Sequence, residues 1–200
     1  MTSDPDDDAA YAEKLRASWV SEPQKLRSRI EIREYDRRWP LLFEREAARI
    51  ASALGDRVVR LEHAGSTSVP GLPAKPIIDI VLEVPDSADE PAYLPALEAA
   101  GYVLVIREPD WFEHRVLKGP YTNVNLHVFP AGSAEPERML AFRDRLRANA
   151  ADRELYAAAK RELAARDWTY VQQYADAKTA VVAEIMARAL AAGEQLNGRA

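Results

Sequence analysis

The sequence predicts an α+β domain, a small mixed sheet with helices on one side and a C-terminal helical region, on three observations. Short alternating apolar runs fall between residues 30 and 129, and everything beyond Ser133 has helical periodicity. Between them the order is strand, loop, strand, helix, strand and then a hairpin.

Composition sets the frame. Two hundred residues, 48% of them hydrophobic, suffice for one core and one domain. Residues 30–192 are therefore read as a single domain, preceded by an acidic tail and short helix over 1–29 and followed by a tail over 193–200. With no cysteine, disulfides and thiolate chemistry are excluded. The start MTSDPDDDAA lacks the basic and apolar parts of a secretion signal, and no apolar run nears the ~20 residues of a membrane span. A cytoplasmic protein with no membrane association is expected. A net charge of −5 disfavours bulk nucleic-acid binding and leaves room for a local basic pocket.

Along the chain, residues 1–8 read as a disordered lead, and Tyr11, Leu15 and Trp19 lie on one side of a short helix ended by Pro23. Ile30 and Ile32 alternate with Glu31 and Arg33 as a strand. Pro40 opens a helix with Phe43, Ala47, Ile50 and Leu54 on one face, closed by Gly55. A strand is predicted over 57–63 with both faces covered, then the irregular GSTSVPGLPAK, then a central strand over 76–84. A helix ends at Gly101, a strand follows over 102–106, and strands 111–117 and 122–129 form a hairpin. Ser133 is placed to cap a helix running to about Arg147. A second helix covers 152–165, and a single last one carries Val171, Tyr174, Val181, Ile185 and Met186.

The chemistry concentrates at His63 to Glu83. A small-residue turn after a strand presents backbone N–H groups to an anion, and a carboxylate on the next strand can hold a cation beside it. Gly65, Ser66, Thr67 and Lys75 are thus candidate phosphate or nucleotide ligands, and Asp79 is a candidate Mg²⁺ ligand and catalytic group. An acid in so apolar a strand needs a partner, so a salt bridge to Lys75, Arg60 or Arg115 is the alternative. Glu83 is expected to be a solvated surface acid. His63, His114 and His127 stand on three strands around one polar face, with Arg115 and Asn125 as further pocket candidates. Arg60, Arg143 and Lys178 are cations that could line an anion site, or simply be solvated or paired.

The segment RLEHAGSTSVPGLPAKPIIDIVLEV resembles the signature of GrpB-family proteins, which have a nucleotidyltransferase-like fold. IEIREYDRRWPLLFEREAARI, NVNLHVF, AFRDRLRAN and YVQQYADAKTAVVAEIM resemble that family too, so the likeness runs from about Ile30 to Ala189. The resemblance implies phosphate binding at Gly65-Ser66 and an acid at Asp79. It also gives His127, in the LHV strand, the strongest claim among the histidines to a catalytic role. A related domain is fused to dephospho-CoA kinase as an accessory to its folding, which implies a protein partner as an alternative role.

The departure is Val81, where the nucleotidyltransferase pattern has a second acid two residues after the first. No third acid is evident either; Asn123, Asn125 and His127 occupy the neighbouring strand. Two readings stand. One is an enzyme using a nucleoside triphosphate and Mg²⁺ for nucleotidyl transfer to an unknown acceptor. The other is an inactive module binding a nucleotide or other small anion, or assisting a partner protein. Kinase activity is excluded by the lack of a GxxxxGK[ST] loop. An imidazole or carboxylate reaching Asp79 favours the enzyme, and an apolar surround the module.

Overall fold

The computed structural model describes residues 5–23 and 25–197. Helix α1 spans Pro5–Arg16, α2 Trp39–Leu54 and α3 Leu94–Ala99; strands β1 Arg60–Ala64, β2 Ile78–Val84, β3 Val103–Glu108, β4 His114–Lys118 and β5 Val124–Pro130 form the sheet. Helices α4 Ala134–Ala148, α5 Ala150–Ala164, α6 Val171–Ala177 and α7 Thr179–Asn197 follow. Among the described residues no helix is long and apolar enough to cross a membrane.

The sheet order is β1-β2-β5-β4-β3, with β2 and β5 parallel and the other neighbours antiparallel. The mixed α+β architecture is therefore as expected. Ile78, Ile80, Leu82 and Val84 of β2 alternate onto one face, where they meet Trp39, Ile50 and Leu54 of α2 and Leu97 of α3. Helices are not confined to that side: Met139 and Leu140 of α4 cover Ala64, Val81 and Phe129 on the other face. Val81 gives α4 an apolar residue to cover on this second face of β2, while Asp79 and Glu83 keep the rest of that face polar.

Several local expectations change. The lead is helical from Pro5, whose fixed φ suits a first helical position. The segment around Ile30 and Ile32 is a strap, not a strand: its one bridge pairs Arg33 with Ala74, and both isoleucines pack on Leu163, Ala164 and Tyr174. A 3₁₀ turn at Gly55–Arg57 delays β1 to Arg60 and leaves Val59 54% exposed, so the cover expected on both faces fails there. Ser133 does not cap α4; its Oγ is buried without a hydrogen-bond partner among the described residues. Asn149 does cap α5, accepting from the Asp152 N–H at 2.9 Å.

The last helix is two. The chain turns at Lys178, which ends α6 and whose carbonyl accepts from Val182 N–H at 3.1 Å to start α7. Neither Gly nor Pro marks that break. At the other end of the chain, Val20 N–H donates to Val105 O at 3.0 Å and Arg107 N–H to Ser18 O at 2.8 Å. The arm after α1 thereby covers the free edge of β3.

Candidate functional site

Parity builds the site. The face opposite α2 takes Asp79, Val81 and Glu83 from β2, Asn125, His127 and Phe129 from β5, and His114, Val116 and Lys118 from β4. Register sets them side by side. Asp79 pairs with Asn125 and Asn125 with Lys118, a polar row across three strands, while His127 lies beside Val81 and Val116. Against this face lies a cavity of about 730 Å³ walled also by α1, α4 and the α6–α7 junction; Gly65, Ser66, Asp79, His114, His127 and Lys178 line it.

Gly65 follows directly on the Ala64–Asp79 pair, and its φ of +65° curls the chain over the carboxylate. A Cβ there would sit 2.2 Å from Asp79 Oδ2. Only glycine fits. The adjoining Thr67 is not a ligand: it is 1% exposed and donates to Ile77 O at 2.9 Å, tying the turn to the start of β2. That spends its one proton, so the 3.1 Å contact of His63 Nε2 with Thr67 Oγ1 is a hydrogen bond donated by the imidazole. His63 also stacks on Phe43 at 4.8 Å, and burial pushes its pKa down to about 4. It is a neutral structural histidine whose hydrogen bond and ring stacking are already committed.

Asp79 Oδ1 accepts from Asn125 Nδ2 at 2.8 Å, and Asn125 Oδ1 in turn accepts from Lys118. His127 Nε2 stands 3.8 Å from the same Oδ1, too long for a hydrogen bond but close for charge attraction. Burial pushes the Asp79 carboxyl up; a protonated His127, then Asn125 and Lys178, outweigh it and hold the acid below its usual range. Behind His127 lies His114, its Nε2 3.0 Å from His127 Nδ1, and behind that Glu108, whose Oε2 is 2.8 Å from His114 Nδ1. The turn that delivers His114 holds Phe112 and Glu113 at φ +54° and +48°, pinned by Ser87 Oγ donating to Glu113 O at 2.6 Å.

Lys75, Lys118, Lys160 and Lys178 interact with the Asp79 charge, and of these four Lys178 lines the cavity. Lys75 and Lys178 lie over the ring of Tyr174, at 5.0 and 4.9 Å, and among the described residues neither has a carboxylate partner. Burial lowers the Lys75 pKa to about 8, with Lys178 and Lys118 adding to that and Asp79 opposing it. Burial likewise lowers Lys118. Lys160, 2% exposed, donates to Pro73 O and is pushed down to about 7, again by burial first.

Other candidates lie elsewhere or, like Arg143, line the cavity with their charge already paired. Arg115 is on the opposite face, because His114 and Arg115 are successive strand residues, and it pairs with Glu90 at 2.6 Å. Glu83 is not solvated: it is 5% exposed, accepts from Gly132 N–H at 3.2 Å and lies 3.6 Å from Arg60. Arg60 also binds Glu137, and Arg143 is held by Glu62 and Asp144, each at 2.8 Å. Sequence reasoning misses Glu108, Lys118 and Lys160. Parity along β4 carries a signal for Lys118, two steps of two from His114.

Among the described residues this donor set does not form an all-protein Mg²⁺ site. Magnesium takes oxygen ligands in strict octahedral geometry. On this face of β2 Asp79 contributes its carboxylate, Val81 is fully buried, and Glu83 is turned to Arg60. Among the described residues no three His, Asp or Glu groups converge as metal ligands. The surrounding positive charge falls instead to lysines.

The profile of the GrpB protein family matches residues 29–188. A UPF0157 protein of Halalkalibacterium halodurans is 60% identical over 177 residues, 88% of this chain and 91% of that one. The crystal structure of conserved protein GrpB from Enterococcus faecalis superposes with a TM-score of 0.69 at 31% identity, covering 80% of this chain and 97% of that one. A dephospho-CoA kinase of Mycolicibacterium paratuberculosis is 36% identical over 86 residues, 42% of this chain and 21% of that protein. These matches make the chain a member of the GrpB family.

Proposed function

We propose that the chain binds a phosphate-bearing ligand, nucleotides included, at the Gly65-Ser66 end of the cavity and transfers a phosphoryl or nucleotidyl group from it without a resident metal. One observation carries this: Lys75 and Lys178, half-buried and lacking a carboxylate partner among the described residues, share the field of an Asp79–His127 pair. Cations left uncompensated in a partly dry site favour an anion there. Ser66 lines the same end of the cavity.

The chemistry assigned to His127 is general base. Its Nε2 takes the proton of an acceptor hydroxyl or water as that oxygen bonds to phosphorus. The bond from phosphorus to the leaving oxygen breaks with its electron pair, and the lysines hold the charge released. Asp79, 3.8 Å away, stabilises the imidazolium so formed.

Calorimetric titration with inorganic pyrophosphate and with ATP, each with and without Mg²⁺, tests the binding. Both ligands are expected to bind without Mg²⁺, and Lys178→Met to weaken them about 10- to 100-fold, the weight of one charge-assisted hydrogen bond. An anion favours protonated Lys75, so affinity is expected to fall as pH rises through about 8, where the free protein loses that proton. Binding by neither ligand at pH 7, or binding only with Mg²⁺, would overturn the proposal.

A further inference from the structure

The geometry points to a positioning relay, Glu108 to His114 to His127, that fixes which nitrogen of His127 faces the cavity. It rests on the role of His127 as base and adds what makes that role available.

The argument is one of proton counting. Glu108 Oε2 and His114 Nδ1 are 2.8 Å apart, and a carboxylate accepts, so Nδ1 carries the hydrogen. A neutral imidazole has one N–H, which leaves His114 Nε2 as an acceptor. At 3.0 Å its partner is His127 Nδ1, which must then donate. In the neutral ring the second nitrogen of His127, Nε2, then carries a bare lone pair, and it is this atom that stands 3.8 Å from Asp79 Oδ1 in the cavity wall. Two acceptors face each other across a gap, so a group that brings its own proton, such as an acceptor hydroxyl or water, is favoured between them.

The surroundings support a neutral His114. It is 4% exposed, stacked on Phe129 at 4.5 Å and on His127 at 5.2 Å, and burial lowers its pKa despite Glu108. The other charged groups lining this cavity include Glu135 and Arg138, which pair with each other at 2.5 Å, and Lys178. Glu135 is the one of these that acts on His114. Glu108 and His114 face each other across the β3–β4 ladder, so the relay is set by sheet register, with Trp111 edge-on to His114 at 5.1 Å. Neither Glu108 nor His114 needs to touch a ligand; they act through His127.

The chain has three histidines, so ¹⁵N imidazole spectra of the ligand-free protein at pH 8 can be assigned with single His→Gln variants. In the unsubstituted protein His127 is expected to show a protonated Nδ1 and an unprotonated Nε2, opposite to His63, which carries its proton on Nε2. Glu108→Ala is expected to move the His127 proton to Nε2, toward Asp79, whereas Glu108→Gln, which still offers an oxygen acceptor, keeps it on Nδ1. A purely structural Glu108 would not switch the tautomer of a ring it does not touch. His127 protonated on Nε2 in the unsubstituted protein, or unchanged in Glu108→Ala, overturns the relay. Pyrophosphate titration separates the two ideas: binding retained beside the wrong tautomer sinks the relay alone, and no binding beside the expected tautomer sinks the proposed function alone.

Discussion

Val81→Asp is expected to destabilise the protein by about 3–5 kcal/mol, the cost of an uncompensated buried charge. That corresponds to a fall in Tm of about 6–20 °C for a chain of this size. Position 81 shares a strand face with Asp79, so the substitution places a second acid where the nucleotidyltransferase pattern has one. Yet Val81 is fully buried, in a cluster with Ala64, Phe129 and Leu140, and α4 lies over it. The new carboxyl would either raise its pKa to stay neutral or open the contact with α4. Thermal unfolding with and without Mg²⁺ makes the measurement. A stable variant that gains Mg²⁺-dependent stabilisation would show that the site is a metal centre lacking one ligand, contrary to the lysine-based scheme.

Gly65→Ala is expected to cost about 2–4 kcal/mol of stability and to abolish pyrophosphate binding. A non-glycine residue at φ +65° is strained by about 1–3 kcal/mol. The added methyl would overlap Asp79 Oδ2, so the carboxylate must rotate away, giving up the 2.8 Å bond from Asn125, worth about 1 kcal/mol. Asp79 cannot move and still face both His127 and Lys178. Urea unfolding reads the first effect and calorimetry the second. Gly55, by contrast, has φ +56° but nothing within 4 Å of its missing Cβ, so Gly55→Ala should lose stability from backbone strain alone and leave binding intact. Equal behaviour of the two variants would sink the claim that close approach to Asp79 is what Gly65 provides.

Much of the site was legible because strands obey a two-residue period. Asp79 at the start of an apolar strand, and Gly65 after a strand that ends at Ala64, announce a carboxylate beside a special turn. The same period already separates His114 from Arg115, so naming both as pocket residues contradicted the strand assigned to them. Thr67 is structural for a different reason: a hydroxyl satisfies buried backbone as readily as a ligand, and Ile77 O lies ten residues away from it. Glu83 was misread because its partner Arg60 comes from the register of β1.

The sequence by itself determined the α+β order of elements, the turn at Gly65-Ser66, the polar parity of β2 and β5 and, at Val81, an apolar residue where the nucleotidyltransferase pattern has a second acid. These are properties of neighbours along the chain, governed by φ, period and side-chain type. Only the tertiary structure decided that Lys118, Asn125 and Asp79 form one row, that Glu108 and His114 stand behind His127, and that Lys178 turns inward at a break no residue type marks. Those contacts depend on strand order and register and on where helices come to rest. They are fixed by burying the apolar faces of the whole domain at once, and so no local pattern encodes them.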